Sequence, residues 1–189
     1  MKKQSSSSSK TRFALLGILA IQPHSGYEIK KFIESSLAYF WKESYGQIYP
    51  VLKQLTNEGA ITSRTIHQIG KPDKTVYSIT EKGHNALRKW LEEPAEKEML
   101  RSEFLLKLFL GSNSQPDDIL HHITGYQEKI ENELEQYQEI SQMINTQFAD
   151  NENAFYWKLV LDLGIRRLNV SLQWCKDAVI NIKNHNHKF

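Results

Sequence analysis

Between Gly46 and Leu55 the chain reads GQIYPVLKQL. Stepping by about 100° per residue from Ile48 puts Val51, Leu52 and Leu55 on one helical face. Tyr49, Pro50, Lys53, Gln54 and the following Asn57 fall on the other. With Gln47 ahead of it, that second face offers amides, a phenol and an ammonium. Such groups can hydrogen-bond base edges or phosphates when a helix lies in a major groove. Further along, GKPDK (Gly70 to Lys74) reads as a Gly/Pro/Asp turn that presents Lys71 and Lys74. Two cations on a turn suit phosphate or an adjacent minor groove. Neither set is distinctive alone, because polar residues on an outer helix face are more often simply solvated.

Other chemistry is poorly supplied. The one cysteine, Cys175, falls on an apolar stripe and has no base partner in the pattern, so it reads as core. It leaves no intrachain disulfide, in keeping with a reducing cytoplasm. The seven histidines include His121–His122 and the pair His185 and His187, weak metal signals without further ligands at good spacing. No phosphate-cradling glycine loop of either common type is present. These observations point away from an enzyme and imply no cofactor and no metal.

Charge supplies the second argument. The 189 residues carry a net charge of +2, which conceals a split. Residues 1–90 hold 14 Lys/Arg against 6 Asp/Glu, or +8; residues 91–189 hold 10 against 16, or −6. A basic front and an acidic back suggest two tasks, with a polyanion as partner of the front. Hydrophobic residues make up 40% of the chain and charged residues 24%, an ordinary soluble composition. No apolar run approaches the roughly 18–20 residues that span a bilayer. The start, MKKQSSSSSK, is basic and then serine-rich, and the apolar FALLGILAI after it lacks a clear cleavage site. It reads as a flexible tail followed by a short core helix.

The elements that must position these groups follow from periodicity and punctuation. A first helix is expected from Thr11, as N-cap, to Ile21, with Pro23 as its stop. Ser25 and Glu28 have capping-box spacing and start a second helix, on which Tyr27, Ile29, Phe32, Ile33 and Leu37 form an apolar stripe. The third helix begins near Gly46 and ends at Gly59. AITSRTIHQIG and KTVYSIT are rich in β-branched residues and flank the GKPDK turn, a β-hairpin with a basic tip. Thr80 caps a fourth helix that stops near Pro94. The remainder is helical: MLRSEFLLKLFLG, a long helix from Pro116, a break at DNEN, and a last helix whose stripe runs from Trp157 through Cys175 to Ile182. Tyr156, Val160, Leu163, Val170 and Trp174 lie off that stripe. A helix apolar on more than one side must bury more than one side, so a homodimer through the C-terminal helices is expected.

Three helices followed by a hairpin is the order of a winged helix-turn-helix. The fold expected is mainly α with a small β-hairpin, an α+β class. A flexible polar tail (1–10) precedes a winged helix-turn-helix DNA-binding domain (11–93) and a C-terminal helical dimerisation and effector domain (94–189).

Four segments also resemble the PadR-like transcriptional regulators. They are LLGILAIQPHSGYEIKKFI, GQIYPVLKQLTNEGAI, GKPDKTVYSITEKGHNALRKWL and the acidic helices that follow, together covering roughly residues 11–182. The IYP segment and the G-x-P-x-K-x-x-Y-x-x-T segment together make the match specific. Ala60 stands where the family usually has leucine and His84 where arginine is common, which leaves the fold expectation intact. The resemblance implies a homodimeric repressor on an inverted-repeat operator of double-stranded DNA. By position, Gln47, Tyr49 and Lys53 face the DNA, Ser44 and Tyr45 lie at the start of the helix, and Lys71 and Lys74 sit at the wing. It further implies release by a small aromatic effector, for which Tyr156, Trp157 and Trp174 are the candidate lining. A metal-sensing regulator and a non-DNA coiled-coil interaction module stand as the alternatives.

Overall fold

An apolar run with almost no polar side commits the first helix to the interior. In the computed structural model, which describes residues 6–37, 40–41, 45–67, 70, 73–97 and 101–186, α1 (Ser6–Ile21) buries Leu15, Leu16, Ile18 and Leu19. The helix starts five residues before the expected cap, so residues 6–10 continue it rather than forming a tail. Thr11 is fully buried within α1 rather than standing at its start. Lys10, in the turn before it, pairs with Glu96 at 2.7 Å.

The chain divides into two compact units, Met1–Lys97 and Glu98–Phe189. In the first, β1 (His24–Ser25) leads directly into α2 (Gly26–Phe32). Ser25 caps α2 through the expected reciprocal box, its backbone N–H donating to Glu28 Oε2 at 2.8 Å. Ile29 and Ile33 face the core, whereas Tyr27, expected on the same stripe, is 60% exposed. It stands at the outward second position of α2, with the Lys31 ammonium 4.9 Å above its ring. A single π turn, Ile33–Leu37, ends this segment. A 3₁₀ turn (Tyr45–Gln47) then leads into α3 (Ile48–Asn57).

The wing follows. β2 (Ile61–Ile66) and β3 (Lys74–Ile79) pair antiparallel, from Ile61 opposite Ile79 to Ile66 opposite Lys74. The two residues of β1 add a third strand on the other side of β3, giving the order β1-β3-β2. That strand is too short to carry a sequence pattern. α4 (Glu81–Glu92) starts at Thr80, whose hydroxyl accepts from the Gly83 N–H at 3.2 Å. The core of this unit joins Leu15, Leu16, Ile29, Ile33, Ile48, Leu52, Leu55 and Ile61, with Phe13 stacked on Trp90 at 4.7 Å. The result is the expected α+β winged helix-turn-helix.

The second unit is helical: α5 (Glu103–Phe109), a 3₁₀ turn, α6 (Pro116–Gln147) and α7 (Ala154–Asn186). Pro116 occupies the first position of α6, where no intrahelical N–H is lost. α6 buries Ile123, Ile130, Tyr137, Ile140 and Ile144, which recur at heptad and three- and four-residue steps along one face. Cys175 of α7 is fully buried against Ile123 and Ile130, and burial pushes its thiol pKa up. A desolvated thiol of this kind packs as a small apolar group. Among the described residues, no helix is long and apolar enough to cross a membrane.

Candidate nucleic-acid interface

α3 carries its two faces as the periodicity requires. Ile48, Val51, Leu52 and Leu55 are buried, and Gln47, Tyr49, Pro50, Lys53, Gln54 and Asn57 are exposed. The helix starts one residue later than expected, with Gln47 rather than Gly46 at the N-cap. Pro50 is therefore the third helical residue. The N–H groups of the N-cap and the first three helical residues have no intrahelical acceptor, so proline at this position removes no helix bond. The far end closes on Gly59, whose φ of 70° is a left-handed conformation that favours glycine. Gly59 N–H donates to Thr56 O at 3.0 Å and Ala60 N–H to Leu55 O at 2.9 Å, the paired bonds of a Schellman stop.

Three contacts fix this helix within its unit. The Arg12 guanidinium of α1 donates to Glu58 at 2.7 Å, and Lys82 donates to the Glu58 carbonyl at 2.6 Å. The Tyr49 ring lies over Gly26, where a Cβ would stand 2.6 Å from Tyr49 Cε1. Glycine at the start of α2 thus lets Tyr49 lie there while remaining 60% exposed. Gln54 shares its amide with Glu58 at 2.8 Å. The wing's Tyr77 is half-buried, and burial, reinforced by Tyr49, raises its pKa.

The structure treats the remaining expected residues differently. Ser44 and Lys71 lie outside the described residues, and Tyr45 opens the 3₁₀ turn. Lys74 is the first residue of β3, opposite Ile66 at the turn end of the hairpin, and its ammonium donates to Glu28 of α2 at 2.7 Å. Glu28 was legible only as a helix cap. Its second partner lies 46 residues away in sequence, and no local pattern could show it. At the other side of the wing, exposed His67 lies 2.9 Å from Asp73.

In the second unit, Trp157 meets Phe148 edge-on at 5.9 Å, and Tyr156 meets Phe155 at 5.4 Å. Trp174 instead meets Phe104, which stacks on Tyr126 at 4.2 Å. Trp157 and Trp174 stand roughly five turns apart on α7, about 25 Å, so one chain does not gather Tyr156, Trp157 and Trp174 into one cluster. Tyr156, Val160, Leu163, Val170 and Trp174 are all exposed, as expected of a second apolar face.

Comparisons with known proteins agree with this geometry. Residues 15–89 match the model of the "Transcriptional regulator PadR-like family", and residues 100–183 match "Virulence activator alpha C-term". The Bacillus subtilis "Negative transcriptional regulator PadR" is 40% identical over 103 residues, which cover 53% of this chain and 56% of that protein. The chain thus spans about half the length of the curated relatives it matches. A crystal structure of B. subtilis PadR in complex with operator DNA superposes with a TM-score of 0.80 at 29% identity, covering 92% of this chain and 99% of that one. The same protein in complex with p-coumaric acid superposes with a TM-score of 0.74 at 28% identity, over 91% and 98% of the two chains. The family is one of transcriptional regulators and not of enzymes. The winged helix of residues 15–89 matches the PadR-like transcriptional regulators, and the adjoining match over residues 100–183 and the superposition on B. subtilis PadR support the same family for the chain.

Proposed function

We propose that this protein is a cytoplasmic homodimeric repressor that binds an inverted-repeat DNA operator and is released by a small aromatic effector. The observation that carries the reading is the exposed polar face of α3 beside a basic wing, in the half of the chain that bears +8. Gln47, Tyr49, Lys53, Gln54 and Asn57 meet base edges and phosphates, with Ser44 and Tyr45 at the start of the helix. Lys71 and Lys74 belong to the wing, which lies along the adjoining backbone. Operator DNA on the B. subtilis relative supports the reading.

The second apolar face of α7 supports the dimer. Two recognition helices held about one DNA turn apart double the contacts available to one protomer. The relative bound to p-coumaric acid supports an effector of small aromatic type, with Tyr156, Trp157 and Trp174 as its lining at the dimer interface. An effector that binds better to a dimer with displaced recognition helices shifts the population away from DNA. No three His, Cys, Asp or Glu side chains converge among the described residues, so no observation favours the metal-sensing alternative.

Two substitutions separate the roles assigned to helix and wing. Gln47→Ala relaxes sequence preference by ~1–3 kcal/mol if the amide reads a base edge, and leaves random-sequence binding nearly unchanged. Lys71→Ala weakens binding to every sequence alike and lowers the salt slope by about one phosphate contact. Both are read by titrating specific and random duplexes at several salt concentrations. Equal loss on both duplexes removes Gln47 from base reading, and an unchanged slope removes Lys71 from the backbone.

A further inference from the structure

One carboxylate fastens three elements of the first unit. Glu28 Oε2 accepts from the Ser25 N–H at 2.8 Å and the Ser25 hydroxyl at 2.9 Å, and Oε1 accepts from the Lys74 ammonium at 2.7 Å. The hydrogen bond from Lys74, then that from the Ser25 backbone, hold the Glu28 carboxyl down at about 2. Ser25 and His24 are themselves the strand β1, opposite Val76 and Tyr77 of β3. Lys74 precedes Val76 by two residues, so its side chain emerges on the same face of β3 and reaches the start of α2. The neighbouring Gly26 carries the Tyr49 ring of α3. Residues 24–28 therefore touch the recognition helix on one side and the wing strand β3 on the other.

We infer that Glu28 and Lys74 are a positioning pair that sets the wing against the recognition helix, and that Lys74 stays on Glu28 when DNA is bound. The proposal rests on the DNA-binding reading above. It gives Lys74 a different part from the phosphate role proposed for Lys71: Lys74 holds β3 against the start of α2. A phosphate contact by Lys74 would have to share the ammonium with the carboxylate that also caps α2.

The two charges allow a sign test. Glu28→Gln keeps a side chain that can serve the capping box and removes a negative charge. Simple electrostatics then predicts tighter DNA binding. Positioning predicts weaker operator binding, about three- to tenfold, and the same loss for Lys74→Met, which removes a positive charge. The double variant is no weaker than either single one, as expected for one coupled pair. Lys74→Arg, which keeps the ion pair, restores affinity. The salt slope stays at the wild-type value throughout, and thermal unfolding checks that each full-length variant is folded. A slope lower by about one contact in Lys74→Met, with affinity unchanged or raised in Glu28→Gln, assigns Lys74 to phosphate and overturns the proposal. Wild-type affinity in both single variants also overturns it. A carboxyl titration by NMR reads the pair without DNA: Glu28 titrates near 2 in the wild type and moves up in Lys74→Met. If that shift is present but the wild-type protein binds no DNA, the functional reading fails while the ion pair stands.

Discussion

Replacing Val170 by aspartate is expected to turn the proposed dimer into monomers and to lower operator affinity by about 10²–10⁴-fold, the range lost when two linked sites act separately. Val170 is 71% exposed on α7, away from the stripe that packs on α6. Tyr156, Val160, Leu163, Arg167, Val170 and Trp174 recur at alternating four- and three-residue steps, the spacing of a coiled-coil seam. Five of the six are aromatic or aliphatic, and exposure of a continuous apolar seam marks an interaction surface. An aspartate in its middle would lose its hydration on association without gaining a partner. The protomer itself should remain folded, because the buried set of Ile123, Ile130 and Cys175 is untouched. Sedimentation equilibrium and operator titration of the same sample check both halves. A variant that stays dimeric places the interface elsewhere.

The largest expected loss of stability comes from adding one methyl group at Gly83. The site is buried where β2 begins, β3 ends and α4 starts. A Cβ there would stand 2.2 Å from the Ala60 carbonyl oxygen and 2.7 Å from Ile79 Cγ1. The same oxygen accepts from Thr80 N–H at 3.1 Å and lies 2.9 Å from the Thr80 hydroxyl, so it cannot move without disturbing the cap of α4. In an open helix, glycine to alanine would stabilise by up to ~1 kcal/mol. Here the overlap reverses the sign, and Gly83→Ala should cost about 3 kcal/mol, the upper end for an overfilled site. A domain of this size loses ~4–8 °C per kcal/mol, so the melting temperature of the first unit should fall by at least ~10 °C. An unchanged or higher melting temperature would show that the junction has room.

Local chemistry was legible wherever one residue fixes one backbone feature. Ser25 and Glu28 capped α2, Thr80 capped α4, Gly59 stopped α3, and Pro116 opened α6, because each of these uses neighbours within about four residues. The buried face of α3 followed from period alone. Features decided by distant partners were not legible. The serines before Thr11 carry only modest helix preference, yet they continue α1. Tyr27 sat on an apolar stripe by spacing, but its ring lies under Lys31 at the surface. The two-residue β1 exists only because β3 passes beside it. Lys74 read as a wing cation, and only the fold reveals Glu28 as its partner. Trp157, on the α7 stripe, and Trp174, off it, were read together as an effector lining but belong to separate aromatic clusters, because a helix keeps distant positions apart.

The proposed binding of DNA by α3 and the wing rests on phosphate neutralisation and base contacts. Titration of the full-length dimer with a duplex from upstream of its own gene, repeated across salt concentrations, tests it most directly. Nanomolar binding is expected at low salt, lost by about 10³–10⁵-fold between 50 and 200 mM, as for six to ten phosphate contacts. Markedly weaker binding is expected to a scrambled duplex of the same length. A dimer that binds neither duplex at low salt would contradict the proposed binding.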